Sequence, residues 1–333
     1  MKSICLLFLS ALLALSSFAH NEPWTASRPD GHAPISVMGD HMHAMGEWMV
    51  SYRYMTMDMK GLLDGSNDTS ANAAATKYDF KMSMLPKEMT MDMHMFGAMH
   101  AISDQWTLMC MLNYLDNEMT MQNGNKMETS GFGDLKIGGL YDLARWEDGR
   151  RAHLSLGLSA PTGSIDEKNA DGNFSGYGMQ LGSGTWDFHP AITYLGQTEN
   201  YSYGAQLAGV LRIGDNDQDY TLGNRLDATI WGARKITDSL SASVKIDHTC
   251  QEEVDGSHKG IPAGRRDMSP SNHPDHQGRD LTSVGLGLNY YFQSGALKGH
   301  RIAAEWETPI HQKVNGVQLE LDSSWTLGWQ YAW

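Results

Sequence analysis

The chain has 333 residues, of which 41% are hydrophobic, and it carries a formal net charge of −14 at pH 7. This acidity argues against nucleic acid as a partner, because the phosphate backbone is also negative. Beyond residue 20 the sequence has no run of 18 apolar residues, which excludes a membrane protein built from apolar transmembrane helices.

The amino end has the pattern of an export signal. Lys2 supplies a positive charge, residues 4–15 form a short apolar core, and Ser17 and Ala19 are the small residues of a small-x-small cleavage site. We therefore expect residues 1–19 to be a cleaved signal peptide. The exported chain is expected to reach the cell outer membrane.

Residues 20–45 precede the first strand-like segment and are rich in His and Met. Of the 22 methionines in the chain, 19 lie between Met38 and Met127. Thioether sulfur and imidazole suit Cu(I), and alternate residues of an extended chain point to the same side. We expect a periplasmic segment that is too short to plug a barrel and is free to bind metal at the periplasmic mouth or to fold into the lumen. Copper is the one cofactor that the pattern suggests. The candidate metal ligands are His41, Met42, His43 and Met45.

Residues 46–333 contain twelve segments in which apolar and polar residues alternate. Alternation over about ten residues is typical of the strands of bacterial outer-membrane barrels, which have an even strand count. The sequence therefore predicts an all-β fold, a transmembrane antiparallel β-barrel. The predicted strands are 46–58, 88–101, 105–116, 132–143, 151–161, 186–197, 201–213, 223–236, 239–250, 281–292, 300–310 and 323–333.

The connections between these segments alternate in length. Short turns alternate with long loops rich in Gly, Asn, Asp and Lys, at 59–87, 117–131, 162–185, 214–222, 251–280 and 311–322. Bacterial barrels have short periplasmic turns and long extracellular loops, so we expect the N- and C-termini in the periplasm. A β-sandwich would also have many short strands, but it gives no reason for loops to be sorted in this way.

Alternation also assigns each strand residue to one of two faces. An apolar face, as in Trp48 and Leu156, is expected to contact lipid, and the opposite parity must line the interior because Arg or Lys at the bilayer midplane costs about 2–4 kcal/mol. These polar groups either pair across the lumen or line a route for a small solute. The lumen-lining candidates are Arg53, Asp92, His94, His100, Lys136, His153, His189, Arg212, Arg225, Asp247, Arg301 and Glu305.

The methionines fall on both parities. In the segment 88–101, an inward Asp92 and His94 turn Met89, Met91, Met93 and Met95 toward lipid, where they would act as flexible hydrophobes. In the first and third segments the methionines share the inward parity. These are Met49, Met55, Met57, Met59, Met109 and Met111.

The carboxyl end alternates from Trp325 to Trp333 between large apolar residues and small or polar ones. A terminal aromatic with Tyr331 two positions before it resembles the signal that the barrel-assembly machinery reads in outer-membrane proteins. The expected partners are therefore this machinery, through Trp333, together with outer-membrane lipid and lipopolysaccharide around the barrel and a small-molecule solute within it.

Three stretches resemble a known family. Residues 33–43, 158–166 and 179–187 are similar to those of Gram-negative outer-membrane transporters associated with the meta-pathway of phenol degradation. The resemblance implies a barrel and the uptake of small aromatic compounds, and it implies no catalytic residues.

We therefore expect a channel for passive diffusion of a small solute, aromatic or hydrophobic, and no enzyme. One alternative is a copper-linked protein that captures or passes Cu(I). Another is a structural or enzymatic barrel, since His153 and Ser155 form a His-x-Ser pair that resembles the pair of the outer-membrane phospholipase. The parity turns both side chains inward, away from lipid, which argues against lipase activity.

Overall fold

The chain closes into an antiparallel β-barrel of twelve strands, as the sequence predicts. The computed structural model describes residues 24–333, so the predicted signal peptide at 1–19 lies outside the described residues. Each barrel strand pairs with the next one along the chain, and the last strand, β16 (Val317–Ala332), pairs with the first, β1 (Trp48–Asp64). Closure gives each of the twelve barrel strands a partner on both sides, which a barrel in lipid requires.

The other ten barrel strands follow one another with short or long connections. They are β3 (Pro86–Ser103), β4 (Trp106–Met121), β6 (Leu135–Arg145), β7 (Arg151–Ala160), β8 (Trp186–Gln197), β9 (Tyr201–Ile213), β11 (Arg225–Lys235), β12 (Leu240–Gln251), β14 (Arg279–Tyr291) and β15 (His300–Val314).

Four short strands and several short helices belong to the long connections. The strand β2 (Asn67–Thr69) pairs with β1, β5 (Lys126–Phe132) pairs with β4, and β10 (Tyr220–Thr221) pairs with β13 (Asp255–Gly256). The helices are Ala71–Tyr78 and Ala263–Arg266, and the 3-10 helices are Met82–Met84, Tyr177–Met179, Pro270–Asn272, Pro274–His276 and Gly295–Leu297. No helix among residues 24–333 is long and apolar enough to cross a membrane.

Several strands extend further toward the long loops than the alternation predicts. The first predicted strand stops at residue 58, but β1 continues to Asp64 after a register shift near Gly61, which has a φ of +87°. The last predicted strand starts at 323, but β16 begins at Val317. Glycine tolerates this positive φ, and the bulge interrupts the alternation on which the prediction rests.

Directly opposed residues of an antiparallel pair lie on the same side of the sheet. The pairing register therefore shows which residues of each strand share the inward face and which share the outward face. The outward face is apolar, and its exposed side chains include Trp106, Leu156, Leu286 and Trp325. The inward face carries most of the buried polar groups of the strands. The barrel interior is therefore where functional groups are to be sought.

Candidate functional site

The segment that precedes β1 lies inside the barrel. We call the end at which Trp48 donates its backbone N–H to the Trp333 carbonyl (2.9 Å) the terminal end. There Trp24, Ala33 and Val37 pack against Leu195 and Trp231 of the wall in one buried cluster. The segment therefore lies in the lumen, one of the two positions expected for it from the sequence. It is an extended chain bonded to the walls.

Wall side chains hold this segment by its backbone carbonyls. Arg53 Nε donates to the Ile35 carbonyl (2.9 Å), and Arg301 Nη2 donates to the Ala33 carbonyl (2.8 Å). Other strands bind it in the same way, through His153 Nε2 near the Gly39 carbonyl (2.8 Å), Gln206 to Met38 (3.0 Å) and Ser241 to Pro29 (2.8 Å). Buried carbonyls need such donors, so the wall and the segment match each other.

A buried ion cluster anchors the middle of the segment. Lys245 Nζ lies 2.8 Å from Glu305, 2.7 Å from Glu307 and 3.3 Å from Asp247. Glu305 also accepts from the Ser36 backbone N–H (2.9 Å). The charges are therefore paired with one another and, through Glu305, with the segment, as charges in a low-dielectric interior must be.

The methionines of β3 face the lumen. Met95 lies opposite Arg53 in the β1–β3 pair, and Met93 lies opposite Met55. Arg53 binds the inner segment, so its face is inward and Met95 shares it. The expectation that Met89, Met91, Met93 and Met95 contact lipid is therefore wrong.

Asp92, His94 and His100 lie on the outer face of β3, and their prediction as lumen-lining residues is wrong. Polarity alone suggested an inward position, but each of these side chains has a partner on the outer face of β1. The Tyr54 hydroxyl donates to Asp92 (2.8 Å), the Tyr52 hydroxyl lies 2.7 Å from His94 Nδ1, and His100 stacks on Trp48 at 4.0 Å between ring centroids. A polar group with a hydrogen-bond partner costs much less to place there than an isolated one.

With this register, β1, β3 and β4 form a lumenal surface that we call the methionine wall. Met89 lies opposite both Met59 and Met119, and Met99 lies opposite both Met49 and Met109. The members of the wall are Met49, Met55, Met57, Met59, Met89, Met91, Met93, Met95, Met99, Met109, Met111, Met119 and Met121. Toward the long loops it joins the buried Met179.

The strands across the barrel present charges instead. Arg212 pairs with Asp187, which also accepts from Thr185 Oγ1 (2.7 Å). Arg225 Nε lies 2.8 Å from Asp227. The lumen thus has one apolar wall rich in sulfur and one charged wall. On the inward face the register places the remaining predicted residues, namely Arg53, Lys136, His153, His189, Arg212, Arg225, Asp247, Arg301 and Glu305.

The His-x-Ser pair also lies on the inward face. His153 is opposed by Asp142 and Thr193, and its Nε2 is 2.8 Å from the Gly39 carbonyl. Ser155 lies opposite Leu140 on the same face. The ring therefore holds the inner segment, and neither side chain faces lipid.

Histidines gather within the inner segment. Ligand atoms of His32, Asp40 and His41 all lie within 4.8 Å of one another, and the ring of His43 is 4.8 Å from that of His41 between centroids. Burial lowers the pKa of His32 well below its usual 6.5 and that of His43 to about 3, so both rings are neutral near pH 7.

The predicted metal ligands separate into two groups. His41 and His43 belong to this cluster, whereas Met42 packs beside Met49 and Met99, and Met45 is 68% exposed. His32 and Asp40 were missed. The alternate-residue spacing considers only neighbours on an extended chain. The segment instead turns between Ala33 and Asp40, and the Asp40 carboxylate accepts from the Ala33 N–H (2.9 Å).

Comparison with known proteins agrees with the fold. The family model described as "Putative MetA-pathway of phenol degradation" matches residues 89–300. A search of the curated proteins gives no match.

Among solved structures, the chain is similar to an outer-membrane channel from Pseudomonas putida F1, with a TM-score of 0.65, 14% identity, and coverage of 89% of this chain and 99% of that one. A monoaromatic hydrocarbon channel variant gives a TM-score of 0.45 with 11% identity over 95% of each chain. A FadL homologue of Pseudomonas aeruginosa gives 0.43 with 10% identity over 96% of each. The first of these likenesses establishes a shared fold.

Proposed function

The chain belongs to the family described as "Putative MetA-pathway of phenol degradation", and on this premise we propose that it is an outer-membrane channel for passive diffusion of a small aromatic solute. In this proposal both termini lie in the periplasm, and the solute enters from the side of the long loops. The chain acts as a channel and not as an enzyme.

The methionine wall is the observation that carries this proposal. Thioether sulfur makes favourable contacts with aromatic rings, worth about 0.3–1.5 kcal/mol each, and methionine adapts its shape to different ligands. Seven methionines of the wall are only partly buried and offer an aromatic ring a succession of such contacts along the lumen, namely Met55, Met57, Met59, Met91, Met93, Met109 and Met111. Weak, repeated contacts favour passage because no single position holds the solute strongly.

The charged wall suits the polar group of such a solute. A phenol or a similar compound has one apolar face and one hydrogen-bonding group, and the partly exposed Arg225 and Asp227 on the opposite wall can serve that group as donor and acceptor. A solute without a polar group leaves these charges bonded to each other and to water.

The inner segment controls the terminal end of the lumen in this proposal. It is held by hydrogen bonds and one ion cluster and not by covalent bonds, so a solute passes beside it or after it moves. Passage is diffusive.

Uptake by cells tests the proposed function. Cells that express the barrel should accumulate a labelled phenol faster than cells that lack it, at external concentrations low enough for the outer membrane to limit uptake. An accumulation rate that is the same with and without the barrel would contradict the proposal.

A second candidate function is the passage of Cu(I), and the same wall favours it because thioethers are soft ligands. One variant separates the two functions. Replacing Met91, Met93 and Met95 by Leu keeps an apolar wall of similar volume but removes sulfur. Cu(I) or Ag(I) passage should then fall steeply, whereas passage of a phenol should change by no more than about tenfold, the equivalent of one strong sulfur–aromatic contact.

A further inference from the structure

The inner segment has a buried cluster of histidines apart from the two walls. His32 and His41 meet edge to face with ring centroids 4.2 Å apart, and His41 meets His43 at 4.8 Å. All three residues are at most 7% exposed, as is Asp40 beside them. Three imidazoles and one carboxylate thus meet within a stretch of twelve residues, 32–43.

One ring nitrogen of each histidine in this cluster has no hydrogen-bond partner. His32 Nδ1, His41 Nε2 and His43 Nε2 are all buried and unsatisfied, although His32 Nδ1 is 3.7 Å from Asp40 Oδ2. A buried polar atom without a partner costs about 1–3 kcal/mol, and native proteins avoid this cost. Three such atoms on neighbouring rings, whose centroids lie 4.2 and 4.8 Å apart along the row, indicate that a further group binds to them.

Asp40 is arranged as the partner of a metal-binding histidine. Its Oδ1 lies 2.9 Å from His41 Nδ1, and the carboxylate also accepts from the Ala33 N–H. In metal sites a carboxylate commonly binds one ring nitrogen and thereby directs the other toward the ion. Here that other nitrogen is His41 Nε2, one of the three without a partner.

We propose that His32, His41 and His43 bind one divalent transition-metal ion, Zn²⁺ or Cu²⁺, inside the barrel, with Asp40 orienting the His41 ring. Imidazole and carboxylate are the ligands that these ions take, in contrast to the thioether preference of Cu(I). The ion joins both arms of the turn between Ala33 and Asp40 and so fixes the segment that lies in the terminal end. The proposal goes beyond solute passage and does not depend on which solute passes.

Metal binding by the purified barrel tests the site. The barrel is isolated through a tag without histidine and titrated with Zn²⁺ in detergent by calorimetry. A Cys250→Ser background removes the thiol of the other compact His/Cys/Asp group among the described residues, that of His248, Cys250 and Asp280. The wild-type cluster should bind one ion, and His32→Ala or His41→Ala should weaken binding at least tenfold. His100→Ala, on the outer face, serves as the matched control and should leave binding unchanged.

Heat-modifiable mobility on gels verifies that each variant remains folded. Tryptophan fluorescence supplies a measurement on the unaltered site, because the Trp24 ring lies 6.4 Å from the His41 ring between centroids. Cu²⁺ should quench the emission of the wild-type barrel more than that of Trp24→Phe. The proposal is overturned if the wild-type barrel binds no Zn²⁺, if the His32 and His41 variants bind it as tightly, or if Trp24 is not quenched.

Discussion

Met95 lies directly opposite Arg53 on neighbouring strands, and Arg53 donates to the Ile35 carbonyl of the inner segment. This relationship fixes the inward face of β3, because opposed residues share a face. The alternate methionines of β3 therefore also face inward, which places them in the methionine wall. The sequence pattern alone led to the opposite parity.

Thiol labelling tests this parity. In a background without Cys110 and Cys250, a cysteine at Met91 should react with a charged, water-soluble thiol reagent, because its side chain faces the lumen. A cysteine at Phe96, which is 49% exposed on the outer face, should not react in lipid vesicles, because a thiol in lipid does not ionise. Labelling at position 96 but not at 91 would restore the lipid-facing assignment.

Stability should depend on the ion cluster at Lys245. Lys245→Met leaves the buried Glu305 and the partly buried Glu307 without their cation. We expect the free energy of unfolding to fall by about 3–5 kcal/mol. Urea unfolding of the barrel in lipid vesicles measures this change. Lys235→Met is the matched control, since Lys235 lies 3.9 Å from the exposed Asp238 and should alter stability by less than about 1 kcal/mol. Equal effects of the two substitutions would contradict the account of the cluster.

The orientation in the membrane remains a prediction from loop length. Epitope tags inserted near Asn67 or Gly256, in long connections, should be labelled on intact cells, because long loops of bacterial barrels face outward. Tags near Asn200 or Thr237, in short turns, should be labelled only after the outer membrane is opened. The reverse result would invert the proposed topology.

Trp333 is predicted to direct assembly. Its side chain is 55% exposed at the terminal end and stacks on Tyr331 at 5.1 Å between ring centroids. Trp333→Ser should therefore lower the heat-modifiable, folded fraction in the membrane, while barrels that do fold should pass solute normally. Unchanged folded yield together with slower uptake would instead assign Trp333 a role in transport.

The strands were predictable from sequence because lipid imposes a strict period of two on them. The face of β3 was not, because Asp92 and His94 have tyrosine partners on a neighbouring strand, and such partners are invisible in one strand's own pattern. The position of the inner segment was also hidden, since its bonds run to residues far away in sequence, such as Arg301. For the histidine cluster, His41 and His43 were found by spacing, whereas His32 comes close only through the turn of the segment.

The most direct test of the central claim compares two solutes of the same carbon skeleton, one with an aromatic ring and one with a saturated ring. Phenylalanine and cyclohexylalanine share the same zwitterionic group, and both cross lipid slowly, so their uptake into proteoliposomes reports on the barrel. At low concentration, phenylalanine should enter about 2- to 10-fold faster than cyclohexylalanine, the equivalent of one sulfur–aromatic contact. Replacing Met91, Met93 and Met95 by Leu should reduce this preference. Equal rates for the two solutes, or no uptake above that of empty vesicles, would contradict a channel that uses its methionine wall to pass aromatic compounds.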